Sequence, residues 1–152
     1  SKMDEAKITI RDMPDRPGVA AKLFGLLGDH KIYVNMIVQS TGKDNKASIS
    51  FTVMKSNLKK AMELCEGLKG ELGASSIEAK EEIAIVSAVG VGMISSYGVA
   101  GKIFSVLSEH GINIEMISTS EIGISCVIDA MYSELATKVI HKAFLEADKY
   151  QC

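Results

Sequence analysis

Hydrophobic and polar positions along the chain change period in a fixed order, and that order occurs twice. From Ala6 to Met13 apolar and polar residues alternate, with Ile8 and Ile10 on one side, the period of a half-buried strand. Ala20, Leu23, Phe24 and Leu27 then recur at i, i+3, i+4 and i+7, which predicts a helix with one apolar stripe. Two β-rich runs follow, Ile32 to Thr41 and Ala47 to Met54, joined by the polar turn Gly42-Lys43-Asp44-Asn45-Lys46 and read as a hairpin. Leu58, Ala61, Met62, Cys65 and Leu68 predict a second helix, and Ser75 to Ala79 a last short strand.

The second pass starts with the more continuously apolar run Ile83 to Val89 and a helical stripe of Ala100, Ile103, Phe104 and Leu107. Ile112 to Ser120 and Ile124 to Met131 form its hairpin, and Leu135, Val139, Ile140, Ala143 and Phe144 predict its second helix. Gly18 to Ser40 and Gly98 to Ser120 align without a gap and share 11 of 23 residues, against the one or two about expected by composition, so the chain is a duplication. Aligning Ile49 with Ile124 shows that the second hairpin turn is five residues shorter. The fold class is therefore α+β, two ferredoxin-like βαββαβ domains in tandem over residues 1–80 and 81–152. Residues 146–152 leave little room for a fourth strand in the second domain, so that strand is either absent or shared with the first repeat.

Composition narrows the functional classes. Lys and Arg number 17 against 19 Asp and Glu, a formal net charge of −2, so no general cationic field exists to hold nucleic acid or anionic lipid. The apolar runs stop well short of the roughly 18 residues needed to cross a bilayer. Cys65, Cys126 and Cys152 are odd in number and far apart, which suits neither a disulfide framework nor a metal clip, and a cytoplasmic home is expected. With no Trp and eight Met, the core is built mostly from aliphatic side chains.

The turn from first strand to first helix, Met13-Pro14-Asp15-Arg16-Pro17-Gly18-Val19-Ala20, carries the most chemistry. Pro17 fits the first position of a helix, Gly18 permits close approach, and helix-end N–H groups offer a seat for a carboxylate. Asp15 is placed either to hold an amine beside that seat or simply to cap the helix. The second copy, Met93-Ile94-Ser95-Ser96-Tyr97-Gly98-Val99-Ala100, keeps the glycine and changes the residues before it, and Asn35 becomes Glu115. Two unequal ligand sites and ordinary drift between duplicated domains both produce such differences.

The run from Asp15 to Leu27, DRPGVAAKLFGLL, together with INIEMISTSEIGIS over residues 112–125, resembles the tandem ACT regulatory region of aspartokinase, across nearly the whole chain. The resemblance implies small amino-acid effectors, lysine and/or threonine, acting as feedback inhibitors of aspartate phosphorylation on the route to lysine, threonine and methionine. By it, Asp15, Gly18, Val19, Ala20 and Gln39 match a threonine-type pocket in the first repeat, and Asn113 and Ile114 match its facing partner. Met93, Ser95, Gly98, Val99, Glu115, Ser120 and Glu121 match positions that contact lysine or govern lysine sensitivity. Some relatives carry Thr at Ala100, which leaves effector preference open between a lost hydroxyl and plain helix packing.

The resemblance further implies a homodimer through ACT domains and a partner kinase domain or alpha subunit. ATP and Mg are expected only in that kinase domain, with no cofactor or metal in this chain. The chain by itself is expected to be non-catalytic: it has no Gly-rich phosphate loop and no acid–base set with a third member. His30 and His110, at matched helix ends, are expected to bond the last carbonyls. An acylphosphatase, which shares the topology, lacks support because its Gln-Gly-Val-Phe-Arg loop is missing, and Ser48 to Val53 lacks the aromatic set of an RNA reader. A free-standing amino-acid sensor or a dimerisation module remains as the alternative.

Overall fold

The first pass of the pattern folds as β1 (Glu5–Pro14), α1 (Val19–Asp29), β2 (Val34–Thr41), β3 (Lys46–Met54), α2 (Leu58–Leu72) and β4 (Ser76–Lys80). The second gives β5 (Ile83–Val89), α3 (Val99–Glu109), β6 (Met116–Ser120), β7 (Gly123–Asp129) and α4 (Ser133–Lys149). One turn of 3-10 helix, Lys55–Asn57 and Ala130–Tyr132, precedes α2 and α4. The computed structural model describes residues 2–89, 98–120 and 123–149. The chain divides into two units, Asp4–Glu81, and Glu82–Cys152 with Ser1–Met3.

In the first unit the sheet order is β2-β3-β1-β4, every neighbouring pair antiparallel, with both helices on one face. Ile8 and Ile10 of β1 and Ile49, Phe51 and Val53 of β3 bury their side chains against Leu23 and Leu27 of α1 and Leu58, Ala61, Cys65 and Leu72 of α2. Phe24 meets Phe51 edge to face with ring centroids 5.4 Å apart, the favoured geometry for two ring quadrupoles. The register of β1 on β3 slips between Ile10 and Met13, where Asp12 takes φ 57°. Ser75 Oγ donates to the Asp12 carboxylate at 2.9 Å, and the Asp12 N–H donates to Ser48 Oγ at 3.2 Å, so side chains from both flanks pin the bulge. The hairpin turn closes through Gly42 N–H to Lys46 O at 2.8 Å, with Asp44 and Asn45 both at positive φ.

The second unit repeats the plan in the order β5-β7-β6. Val86 pairs with Cys126 where Ile8 pairs with Phe51, and Ser87 Oγ meets Ser125 Oγ at 2.7 Å where Thr9 Oγ1 meets Ser50 Oγ at 2.9 Å. On the other side of β5, Lys2 and Ile85 exchange both backbone hydrogen bonds at 2.8 Å. That is the edge which β4 occupies beside β1 in the first unit. Residues 1–3, expected in the first domain, group with the second because backbone pairing on an open sheet edge outweighs proximity in sequence. Among the described residues of α4 the buried apolar positions are Ala136, Ile140 and Ala143, with Val139 packed on the same core. Leu135, expected in that stripe, is 38% exposed, because the helix is turned so that Ala136 faces the sheet; the side chain of Phe144 lies outside the described residues.

Both first helices end alike. His30 and His110 bond through Nδ1 to Leu26 O at 3.0 Å and Val106 O at 2.9 Å. Ile32 N–H reaches back to Leu27 O at 3.0 Å, and Ile112 N–H to Leu107 O at 2.9 Å, a paired-loop ending that needs a left-handed residue just before the isoleucine. Gly111 fills it in the second repeat, but Lys31 is forced to φ 59° in the first. Lys31→Gly is expected to raise the unfolding free energy by about 1 kcal/mol and Gly111→Ala to lower it by about the same, read by urea denaturation.

Cys65 and Cys126 are buried in the two cores, and that burial pushes each thiol up to about 11, with the Glu66 charge adding to the shift at Cys65. An unfolded thiol ionises near about 8.5, so above that pH the unfolded chain sheds protons that the folded chain keeps. Stability is therefore expected to fall as pH rises from about 8.5 toward about 11, and less steeply in the Cys65→Ala/Cys126→Ala double variant; equal slopes in the two proteins would refute the assignment.

Candidate functional site

The turn singled out in the sequence is a tight connection built around one backbone conformation. From β1 the chain passes through Asp15, whose N–H donates to Asn45 O in the hairpin turn at 2.7 Å, and Arg16, whose N–H donates to Pro14 O at 3.1 Å. Gly18 then adopts φ 92° and ψ −16° as the residue preceding α1, and its carbonyl accepts the first helical bond, from Lys22 N–H at 3.0 Å. A Cβ on Gly18 would meet nothing within 4 Å, so glycine is required there by the left-handed backbone and not by crowding. No side chain caps the helix.

Two expectations change as a result. Asp15 is exposed and does not cap α1, since the helix begins four residues beyond it, at Val19. Pro17 does not occupy the first helical position: the left-handed turn falls at Gly18, and helical dihedrals begin only at Val19. What remains is a helix end whose first-turn N–H groups have no partner within the helix, with about half an elementary charge of helix dipole behind them and room beside Gly18. Gly98 repeats the arrangement at φ 86° and ψ 4°, with Lys102 N–H donating to its carbonyl at 2.9 Å and no side-chain cap among the described residues.

Val19 and Ala20 are half-buried and pack on the first core, and Val99 packs on the second, so at these positions the backbone rather than the side chain is offered outward. Gln39 lies exposed on edge strand β2 opposite Ile49, which in turn pairs with Ile10, so it sits at the end of the sheet from which β1 leaves for α1. Ser120 takes the matching end of β6, paired with Gly123. Asn113, Ile114 and Glu115 lie at the opposite end, before β6, where Glu115 N–H donates to Val127 O at 2.8 Å. Five strand residues, about 16 Å, separate Glu115 from Ser120, so within its own unit the second repeat does not gather Gly98, Glu115 and Ser120 around one point. Met93, Ser95 and Glu121 lie outside the described residues.

One buried polar residue was not anticipated. Glu5, 2% exposed on β1, accepts a 2.9 Å hydrogen bond from the Asn35 side chain. The strand register places Ile83 of the second repeat where Glu5 stands in the first, since each pairs with the residue ahead of the 3-10 turn, Met54 or Asp129. The exchange of Asn35 for Glu115 is thus coupled to the exchange of Glu5 for Ile83. The available signal was an acidic residue one place ahead of the alternating Ala6 to Met13 run.

Among the described residues no helix is long and apolar enough to cross a membrane. The family model described as "ACT domain" matches residues 8–67 and 86–144, one copy per repeat. The chain is 46% identical over 141 residues to an aspartate kinase of Stutzerimonas stutzeri and 45% identical to the aspartokinase of Pseudomonas aeruginosa; each alignment covers 93% of this chain and 34% of the relative. It therefore spans about a third of the length of the curated relatives it matches. A crystal structure of aspartokinase alpha and beta subunits superposes with a TM-score of 0.89 at 46% identity, covering 94% of both chains. The ligand-free regulatory subunit of aspartate kinase from Thermus thermophilus does so at 0.88 and 40%, with the same coverage. With two copies of the ACT model over one duplicated fold, and end-to-end agreement with regulatory subunits, the chain belongs to the ACT domain family as the tandem-ACT regulatory region of an aspartokinase.

Proposed function

We propose that this chain is the amino-acid sensor of its aspartokinase, binding lysine and/or threonine and transmitting feedback inhibition to an aspartate-phosphorylating catalytic part. The observation that carries the reading is the pair of helix starts at Gly18 and Gly98, each left-handed and each, among the described residues, without a side-chain cap and with nothing within 4 Å of a Cβ placed on the glycine. A free α-amino acid brings a carboxylate to such amides, and Asp15, exposed three residues before Gly18, suits its ammonium. Glu115 offers a carboxylate in the second repeat where the first has Asn35, which supports a lysine-type effector with its extra positive charge.

The relatives' names supply the catalytic side. In this reading ATP, Mg and aspartate belong to a catalytic portion outside the chain, and the chain by itself performs no chemistry; that a relative of which the alignment covers 34% is an aspartate kinase supports it. The sensor works in the cytoplasm on the route to lysine, threonine and methionine, and dimerises through its ACT domains. Inhibition requires that the effector bind one arrangement of sensor and kinase more tightly than the other, because equal affinity shifts nothing.

Calorimetric titration of the chain with lysine and with threonine is expected to give saturable heat, and a raised melting temperature, for at least one of them; silence with both overturns the reading. Gly18→Ala is expected to cost about 1 kcal/mol of stability through backbone strain alone and to weaken effector binding in the first repeat about tenfold, because the strain turns the Val19 and Ala20 amides. Unchanged affinity in that variant would remove the helix start from the site.

A further inference from the structure

We propose that the groove beside the start of α4 is the surface on which this regulatory chain docks the catalytic part of its enzyme, an inference that rests on the function proposed above. The groove, about 640 Å³, is lined by Met3, Ala130, Met131, Ser133, Lys138 and His141, all within the second unit. Met131 is 75% exposed, Met3 48% and neighbouring Leu135 38%, an unusual concentration of open apolar surface for one corner of a small domain.

The duplicate shows that the fold does not require it. The backbone is the same in both repeats: Lys55 N–H donates to Asp4 O at 2.8 Å, and Ala130 N–H to Glu82 O at 3.0 Å, each starting a 3-10 turn that leads into a helix. The 75-residue offset of the third strands puts Ser56 at the place of Met131 and Lys60 at the place of Leu135, and both are exposed. Asp129 holds the Met131 N–H at 3.0 Å, which fixes the backbone while the thioether stands outward. One repeat has polar side chains on this corner and the other apolar ones, so the difference answers to something outside the unit.

The catalytic part is the occupant that fits. About two thirds of the length of the relatives lies outside the region this chain matches, so a large body must be seated somewhere. Met3 forms a wall of the groove and Lys2 is fixed on β5, so a polypeptide continued ahead of Lys2 emerges beside the groove at high effective concentration. The rim carries Glu134, Lys138 and His141, a mixture of charge types that suits a polar-rimmed protein contact rather than lipid or nucleic acid.

The test compares this chain alone with the same chain in the active enzyme, continuous or co-expressed with its catalytic polypeptide, under hydrogen peroxide footprinting. Met131 is expected to be oxidised about tenfold more slowly in the enzyme than in the isolated chain. Met131→Ser/Leu135→Lys, which installs the residues of the first repeat, is expected to leave basal kinase activity, effector binding and the urea midpoint of the isolated chain unchanged while raising the effector concentration for half inhibition about tenfold. Equal oxidation in chain and enzyme, or unchanged inhibition in the variant, overturns the docking surface. Protection that appears in the isolated chain and grows with its concentration overturns it in favour of a second copy. If the wild-type chain neither binds lysine or threonine nor inhibits its enzyme, the proposed function falls with it, and that control is read before any variant is made.

Discussion

The left-handed glycine ahead of the first helix is the constraint on which each unit depends. A strand that leaves a sheet and must return as a helix packed on the same sheet has few residues in which to reverse. At φ 92° Gly18 makes the reversal in one step, so that Leu23 and Leu27 land on Ile8, Ile10 and Phe51. Any L-residue there would strain the backbone by about 1 kcal/mol or move the stripe off the core. The same glycine denies the helix a side-chain cap, because the residue at the capping position has no side chain to offer. The open helix start is therefore a by-product of how the helix is made to pack, and binding chemistry at that point is compatible with the core rather than opposed to it.

Much of this was legible because it is local and repeated. Strand and helix periods, the polar hairpin turn, the carbonyl-bonding His30 and His110 and the buried Cys65 all follow from residues within a few positions of one another, and each is written twice or nearly so. What was not legible depends on partners far along the chain. Lys2 reads as an arbitrary polar residue until β5 presents an unpaired edge. Glu5 reads as the solvent side of an alternating strand until Asn35 arrives across the sheet. The one-position error at Leu135 arose because Ala136, Ile140 and Ala143 form a stripe as regular as the predicted one, and small side chains give hydrophobic periodicity little to weigh.

At the candidate site, position was readable and role was not. Gly18 and Gly98 were found from their alignment, but whether Asp15 caps a helix or stands clear of it is decided by the backbone conformation at Gly18, which no composition reveals. The hairpin turn is instructive in the same way. Its five extra residues in the first repeat read as surface length, yet Asn45 among them accepts the Asp15 N–H and so holds the loop that leads to the helix start.

Duplication gives the differences between the repeats their meaning. The paired hydroxyls Thr9–Ser50 and Ser87–Ser125, the paired helix endings and the paired glycines show that backbone geometry has been kept to within the demands of packing. Against that fixed background a changed side chain is informative when its counterpart is doing structural work. Asn35 is such a case: its amide is engaged by Glu5, so the first repeat can spare it for a ligand only by breaking a bond to a carboxylate that is 2% exposed. With Ile83 in place of Glu5, the second repeat cannot form that same pair. Two sites that start from the same backbone but carry different side chains at such positions will not have the same affinity for any one amino acid. Under the proposed function that inequality is what a sensor needs, because a ligand acts on a conformational equilibrium only through a difference in how tightly the alternatives hold it.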